Sequence, residues 1–397
     1  MLRNDSFYLK RIADIPYILP VGQMVADHKR GVKINETGAF IWECIKEDLS
    51  IEELNEKCFK HYEASDDEKD EIAAGTDEFI KLLDSLGMTA KDKDFEKPDI
   101  HITGTGGFVP YKNIDFIKSV GIANIKIGFY GEGECLTDKF DAFAIKSDGA
   151  DDLRIEIVNE TPESLSGKEI VINAAVETTE CDDRYILRFP ESEKIIECHL
   201  SKKGNFARFY TYKDFDEAEK ELLFHAIRTV FLYKALLKGI VAIHSASILY
   251  KNSVWLFSAP SGTGKSTHAG LWKELFETEI VNGDLNLLGC KDGKPVVYGL
   301  PWCGTSNTFD VNTYKLGGVI LLKRNQKNFV EDLPEDEKQL LVQQRIISPS
   351  WDAKALDMQF DIVENIIKNG AIVARLNCTA DYEAAIVMKE YLDKKII

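Results

Sequence analysis

The stretch "LFSAPSGTGKSTHAGLW", residues 256 to 272, constrains this chain more than any other. An apolar run that stops at a glycine-bearing loop and resumes with helical spacing predicts a strand-to-helix turn inside an α/β sheet. In the pattern G-x-x-x-x-G-K-[ST], small residues let consecutive backbone N–H groups curl around phosphate oxygens at a helix N-terminus. The lysine reaches the outer phosphates and the hydroxyl binds Mg²⁺. Here Ala259 takes the place of the first glycine, while Gly262, Gly264, Lys265 and Ser266 are in position. The expected nucleotide-binding residues are therefore Ser261, Gly262, Thr263, Gly264, Lys265, Ser266 and Thr267. The helix that follows is expected to bury Leu271, Trp272, Leu275 and Phe276.

Charge narrows the ligand. The 397 residues carry a formal net charge of −17, which opposes a sequence-independent grip on nucleic acid, because that affinity comes from neutralising phosphates with lysine and arginine. A compact phosphate ligand can still be held by backbone N–H groups, one lysine and a divalent cation. No apolar run reaches the ~18 residues of a membrane helix, and no apolar segment follows the charged N-terminus, so the expectation is a cytoplasmic chain without a membrane partner. The eight cysteines form no CxxC and no Cys/His cluster, which predicts reduced thiols rather than a zinc site.

Phosphoryl chemistry needs a carboxylate for the metal or for an acceptor proton. In "TEIVNGDLNLLG" an apolar run ends at Asn282, and Asp284 follows Gly283, at a predicted strand end of the kind that gathers beside a phosphate loop. A turn aspartate is the plainer reading of "NGD". His244, in the strand "AIHSAS" before the loop strand, is either a satisfied structural residue or an assistant to catalysis.

The chain reads as three parts. Residues 1–95 combine short extended runs ("YILPVGQMVAD", "GVKIN") with three helices. The first is capped by Asn35, the second opened by a Ser50/Glu53 capping box, and the third presents Phe79, Leu82, Leu83 and Leu86. The charged "KDKDFEKPD" reads as a linker. Residues 96–215 hold β-prone runs such as "NIKIGFY", "LRIEIV" and "FARFYTY", with "SKKGN" a hairpin turn. From 216 to 397 come a helix apolar over most of its surface, two core strands and the phosphate loop.

His244 in "AIHSAS", the loop "APSGTGKST" and the "NGD" after the loop helix resemble HPr kinase/phosphorylase, whose fold is related to phosphoenolpyruvate carboxykinase. The resemblance covers about residues 216 to 397 and implies a P-loop serine kinase using ATP and Mg²⁺. It implies that Lys265 holds the β/γ-phosphates, Ser266 binds the metal, Asp284 acts as base or metal ligand, and His244 assists near the acceptor. Members of that family carry two adjacent aspartates, whereas Gly283 stands in the first position here. The related kinases assemble, so the resemblance also allows a homo-oligomer. "GLPWCGTSN" is similar to a segment of bacterial members, which implies that Gly304, Thr305 and Ser306 face the site, with packing the plain alternative for Trp302. At the other end, "INETGAFIW" within residues 5 to 90 is similar to PqqD-like modules of ribosomally made, modified peptide pathways. Such modules are small winged-helix folds that add a leader peptide to a sheet edge.

The expectation is thus an α/β multidomain chain: a winged-helix peptide-binding module, a β-rich middle domain and a C-terminal P-loop α/β kinase domain. Its expected activity is ATP-dependent phosphorylation of a serine or threonine on a captured precursor peptide. An ATP-binding carrier without transfer, and a kinase of another acceptor, are the alternatives.

Overall fold

The protein is described from a computed structural model, which places residues 2–27, 29, 31–90, 107–260 and 262–396. The expected linker and Ser261 lie outside the described residues. The structure is mixed α/β with large sheets, and it divides into two compact units. One consists of the N-terminal segment with Ile170–Ile172 and Ser350–Ala353; the other holds the β-rich segment and the loop-bearing segment together.

In the first unit, Phe7–Ile12, Ile15–Pro20 and Val32–Lys33 form a three-stranded antiparallel sheet. Helices Glu36–Cys44, Ile51–His61 and Asp66–Ser85 accompany it. Asn35 caps the first helix by accepting from the Gly38 N–H at 2.8 Å. Ser50 and Glu53 close a reciprocal capping box on the second, satisfying two of the N–H groups a helix start leaves orphaned. The third helix departs from expectation: it buries Thr76, Ile80 and Leu83, while Leu82 and Leu86 are exposed. Spacing alone did not separate these faces, because Phe79, Ile80, Leu82, Leu83 and Leu86 form an apolar band wider than the face that meets Trp42, Leu54 and Cys58.

In the second unit, a nine-stranded sheet includes Ile125–Gly131, Leu153–Val158, Arg184–Arg188, Ile195–Ser201 and Phe206–Thr211. The turn after Ser201 lies where "SKKGN" predicts it. Helix Glu217–Leu237, started by Asp216 accepting from the Glu219 N–H at 2.9 Å, buries eleven residues. It does so because it is covered on two sides. Tyr233 meets Tyr185 and donates to the Lys202 carbonyl of the nine-stranded sheet, while Phe224 and Phe231 stack on Trp302 of the loop-bearing segment.

The second sheet positions the site. Val241–Tyr250 and Ser253–Ser258 form an antiparallel hairpin through Lys251 and Asn252, which both take positive φ. Such a two-residue turn matches strand twist and fixes register. The pairing that starts at Tyr250↔Ser253 therefore runs to Ser245↔Ser258, which delivers the start of the glycine-bearing loop beside His244. On its other edge the His244 strand pairs with Glu279–Asn282 and Leu285–Lys291, through Ser247↔Asn282 and His244↔Leu285. Gly283 and Asp284 thus interrupt what is otherwise one long strand. Among the described residues no helix is long and apolar enough to cross a membrane, and all eight cysteines are free thiols.

Candidate active site

The loop runs from strand Ser253–Ser258 into helix Lys265–Phe276. Gly262 and Gly264 have φ of +72° and +110°, in the left-handed region that favours glycine. Gly264 caps the helix without a side-chain bond, so the first-turn N–H groups of Lys265, Ser266 and Thr267 are left for a ligand, and the helix dipole favours an anion there. Ala259 is 1% exposed and packs with Phe257, Ala269 and Trp272. Its methyl group belongs to the core beneath the loop, which accounts for alanine at the first-glycine position. The helix buries Lys265, His268, Ala269 and Trp272, whereas Leu275 is exposed. Of the expected face, Trp272 is buried and Leu271 and Phe276 pack partly buried against the same core, while Leu275 is not covered; the buried face extends instead to Lys265 and His268.

Lys265 is 8% exposed and makes no hydrogen bond or ion pair with a described residue. Burial lowers its pKa, Asp284 opposes that shift, and the Arg345 guanidinium adds to it. Ser266 and Thr267 are exposed on the first turn. Thr263 lines a cleft of about 510 Å³ together with Pro260, Leu341, Arg345 and Arg375. Arg324 closes over the loop by donating to the Gly262 carbonyl.

Opposite the loop, His244 Nε2 lies 3.1 Å from Asp284 Oδ1, and both side chains remain partly open to solvent. The hydrogen bond from His244 holds the Asp284 carboxyl below the usual carboxylate range, assisted by the positive charges of Arg228 and Lys265 and opposed by burial. A buried polar network holds this pair in place. Asn282 Oδ1 accepts from the N–H groups of Asp284 and Leu285 at 2.9 and 3.1 Å. Ser247 Oγ donates to Asn286 Oδ1 at 2.8 Å, and Asn286 Nδ2 donates to the Ser245 carbonyl at 2.8 Å. Ser258 Oγ donates to the His244 carbonyl at 2.7 Å. Polar groups satisfied this fully define a single arrangement.

The "GLPWCGTSN" segment lies against the same break. Trp302, 1% exposed, donates from Nε1 to the Phe224 carbonyl at 2.9 Å and accepts on its carbonyl from Asn282 Nδ2 at 3.3 Å. A Cβ at Gly283 would fall 2.4 Å from both Cβ and Oγ of Ser306, and a Cβ at Gly304 2.9 Å from Asp284 Cβ. Ser306 therefore occupies the room that a first aspartate would need.

The structure thus brings His244 and Asp284 into contact and puts Lys265 within electrostatic reach of that carboxylate. Three groups escaped the sequence: Arg228, Arg324 and Arg345. Arg345 comes from a segment paired to the His244 strand, its carbonyl accepting from the His244 N–H at 3.0 Å. Only for Arg228 was there a signal, as a charge within an apolar helix.

One carboxylate, Asp284, and one hydroxyl, Ser266, suit Mg²⁺, which is commonly bound through one or two carboxylates with phosphate oxygens and water completing its shell. Among the described residues no group of three or more His, Cys, Asp or Glu side chains forms an all-protein metal cage.

No family model matches this chain, and no curated protein matches it. Among solved structures, the Hpr(Ser) kinase/phosphatase from Coxiella burnetii is similar over 39% of this chain and 97% of its own length, at 11% identity and a TM-score of 0.23.

Proposed function

We propose that this protein is an ATP-dependent kinase that phosphorylates a serine or threonine hydroxyl of a small ribosomally made precursor peptide. The observation that carries the kinase half is that buried Lys265, without a hydrogen-bond or ion-pair partner among the described residues, is within electrostatic range of Asp284, itself hydrogen-bonded to His244. In this reading the loop N–H groups and Lys265 hold the nucleotide phosphates, and Ser266 and Asp284 hold Mg²⁺, which neutralises charge on the phosphate oxygens when bound. The acceptor oxygen bonds to the γ-phosphorus as the bond from that phosphorus to the bridging oxygen breaks. The acceptor proton passes to the Asp284–His244 pair, and ADP leaves. Catalysis of this kind is mostly positioning and electrostatics, which suits a site whose polar network is already satisfied.

The N-terminal unit is proposed to be a winged-helix module that captures the leader. Its three-stranded sheet and the helices that accompany it, with the "INETGAFIW" segment following strand Val32–Lys33 and supplying most of helix Glu36–Cys44, support this. Tethering raises the local acceptor concentration toward roughly millimolar, so the kinase site need not bind the acceptor tightly.

A second reading, an ATP-binding peptide carrier without transfer, is favoured by one observation: Ser306 leaves no room for a second carboxylate at position 283. Incubation with MgATP and the small peptides encoded beside the gene separates the readings. The kinase gives a gain of roughly 80 daltons, one phosphoryl group, lost on deleting residues 1–95. Nucleotide binding with no mass change supports the carrier, and transfer that survives the deletion points to an untethered acceptor.

A further inference from the structure

Arg228 belongs to none of the roles above. It sits on helix Glu217–Leu237, one turn beyond the Phe224 carbonyl that receives Trp302 Nε1. The chain Phe224–Trp302–Asn282–Asp284, closed by hydrogen bonds of 2.9, 3.3 and 2.9 Å, fixes that turn of helix against the strand break. Arg228 is partly buried, and it makes no hydrogen bond or ion pair with any described residue. The carboxylate it senses is Asp284, which is already engaged by His244. Its neighbour His225 is turned to Glu221, with Nε2 3.4 Å from Oε1.

Lys265, buried on the loop helix, and Arg228, partly buried on the helix turn tied through Trp302 and Asn282 to the strand break, are therefore both within electrostatic range of one carboxylate, from separate elements. A charge withdrawn from water without a paired counter-charge costs several kcal/mol in typical interiors. Such an arrangement is built to receive an anion. An arginine fork offers parallel N–H donors that match two oxygens of a phosphoryl group. An anionic substituent on the acceptor would need the arginine beyond the base, whereas this one shares Asp284 with the phosphate-loop lysine.

We infer that Arg228 is a phosphoryl clamp built into the chain, engaging the oxygens of the phosphoryl group in transfer from a helix other than the one that bears Lys265. The inference rests on the kinase reading. Arg228 forms no covalent bond; it neutralises charge that grows on the phosphoryl oxygens as the bridging bond breaks.

The test compares wild type with Arg228→Gln, Arg228→Lys and Arg228→Met in the full chain. The readings are MgATP affinity, phosphate release from MgATP with water as acceptor, and affinity for MgADP with aluminium fluoride, which mimics the transferring group. Arg228→Gln is expected to bind MgATP within about threefold of wild type and to lose roughly 10³-fold in turnover, the low end for an arginine finger. Its preference for the aluminium fluoride complex over MgATP should fall in parallel, and Arg228→Lys should keep part of both. Arg228→Met should unfold no earlier than unliganded wild type, because it removes a partly buried charge that makes no hydrogen bond or ion pair with a described residue. Unimpaired turnover and aluminium fluoride binding in Arg228→Gln, or early unfolding of Arg228→Met, overturns the clamp. A wild type that does not bind MgATP brings down the kinase reading and the clamp with it.

Discussion

Replacing Gly283 by alanine isolates the steric relation between this position and Ser306. The new Cβ would meet Ser306 Cβ and Oγ, both at 2.4 Å, well inside van der Waals contact. Ser306 cannot simply rotate away, because its Cβ is itself one of the atoms met. The Gly304–Ser306 turn must therefore shift, and with it the bond from Ser306 Oγ to the Cys303 carbonyl at 2.7 Å. Overpacking costs typically ~1–3 kcal/mol. The hydrogen bond adds about 1 kcal/mol, so Gly283→Ala should destabilise the loop-bearing unit by about 2–4 kcal/mol. Gly283→Asp, which restores the paired aspartates of the kinases this sequence resembles, should fare worse, since it also sets a second negative charge beside Asp284. Urea unfolding followed by tryptophan fluorescence reports the loss through buried Trp302. Ser306→Gly should relieve Gly283→Ala by about 1–2 kcal/mol, the coupling expected of residues in contact. A Gly283→Ala protein within about 0.5 kcal/mol of wild type, or a Ser306→Gly background that gives no relief, would refute the reasoning.

Three further outcomes are expected. Burial lowers the Lys265 pKa, so in the alkaline range part of the free protein carries a neutral amine there. A bound phosphate favours the ammonium, and nucleotide binding should then take up protons, as calorimetry in buffers of different ionisation enthalpy would show; Lys265→Ala should abolish the uptake and lower turnover about 10²–10³-fold. Trp302→Ala should cost about 3–5 kcal/mol as a buried aromatic truncation, and it should lower turnover as well, because the residue links helix Glu217–Leu237 to Asn282. Asp393 receives Tyr250 Oη at 2.6 Å, Lys251 Nζ at 2.8 Å and Lys389 Nζ at 2.7 Å, which hold its carboxyl far below the usual range. A depressed pKa contributes stability above the unfolded-state value that is lost as pH falls through the folded one. Asp393→Asn should therefore be less stable than wild type at neutral pH, with the gap narrowing in strong acid, measured by thermal unfolding across pH.

Much of the local structure was legible because it is written in short-range chemistry. The cap at Asn35, the box at Ser50 and Glu53, the start at Asp216 and the turn after Ser201 each depend on residues within five positions. The buried faces of helices Asp66–Ser85 and Lys265–Phe276 were not legible. The first carries more apolar residues than one face can hold, the second buries the polar Lys265 and His268 beside its apolar residues, and in each the covered face depends on the element that arrives from elsewhere.

The same division holds at the site. By itself the sequence determined the strand, loop and helix around Lys265, because glycines at positive φ and an uncapped helix start are properties of adjacent residues. It also marked His244 and Asp284 as candidates. Only the tertiary structure decided that these two lie 3.1 Å apart, since that contact depends on the register set by the Lys251–Asn252 turn and on the strand break at Gly283–Asp284. Only packing could show that Ser306 fills the space beside Gly283 and that Arg228 lies within electrostatic range of Asp284. Residues far apart in sequence meet through buried contacts, and no local pattern encodes which ones.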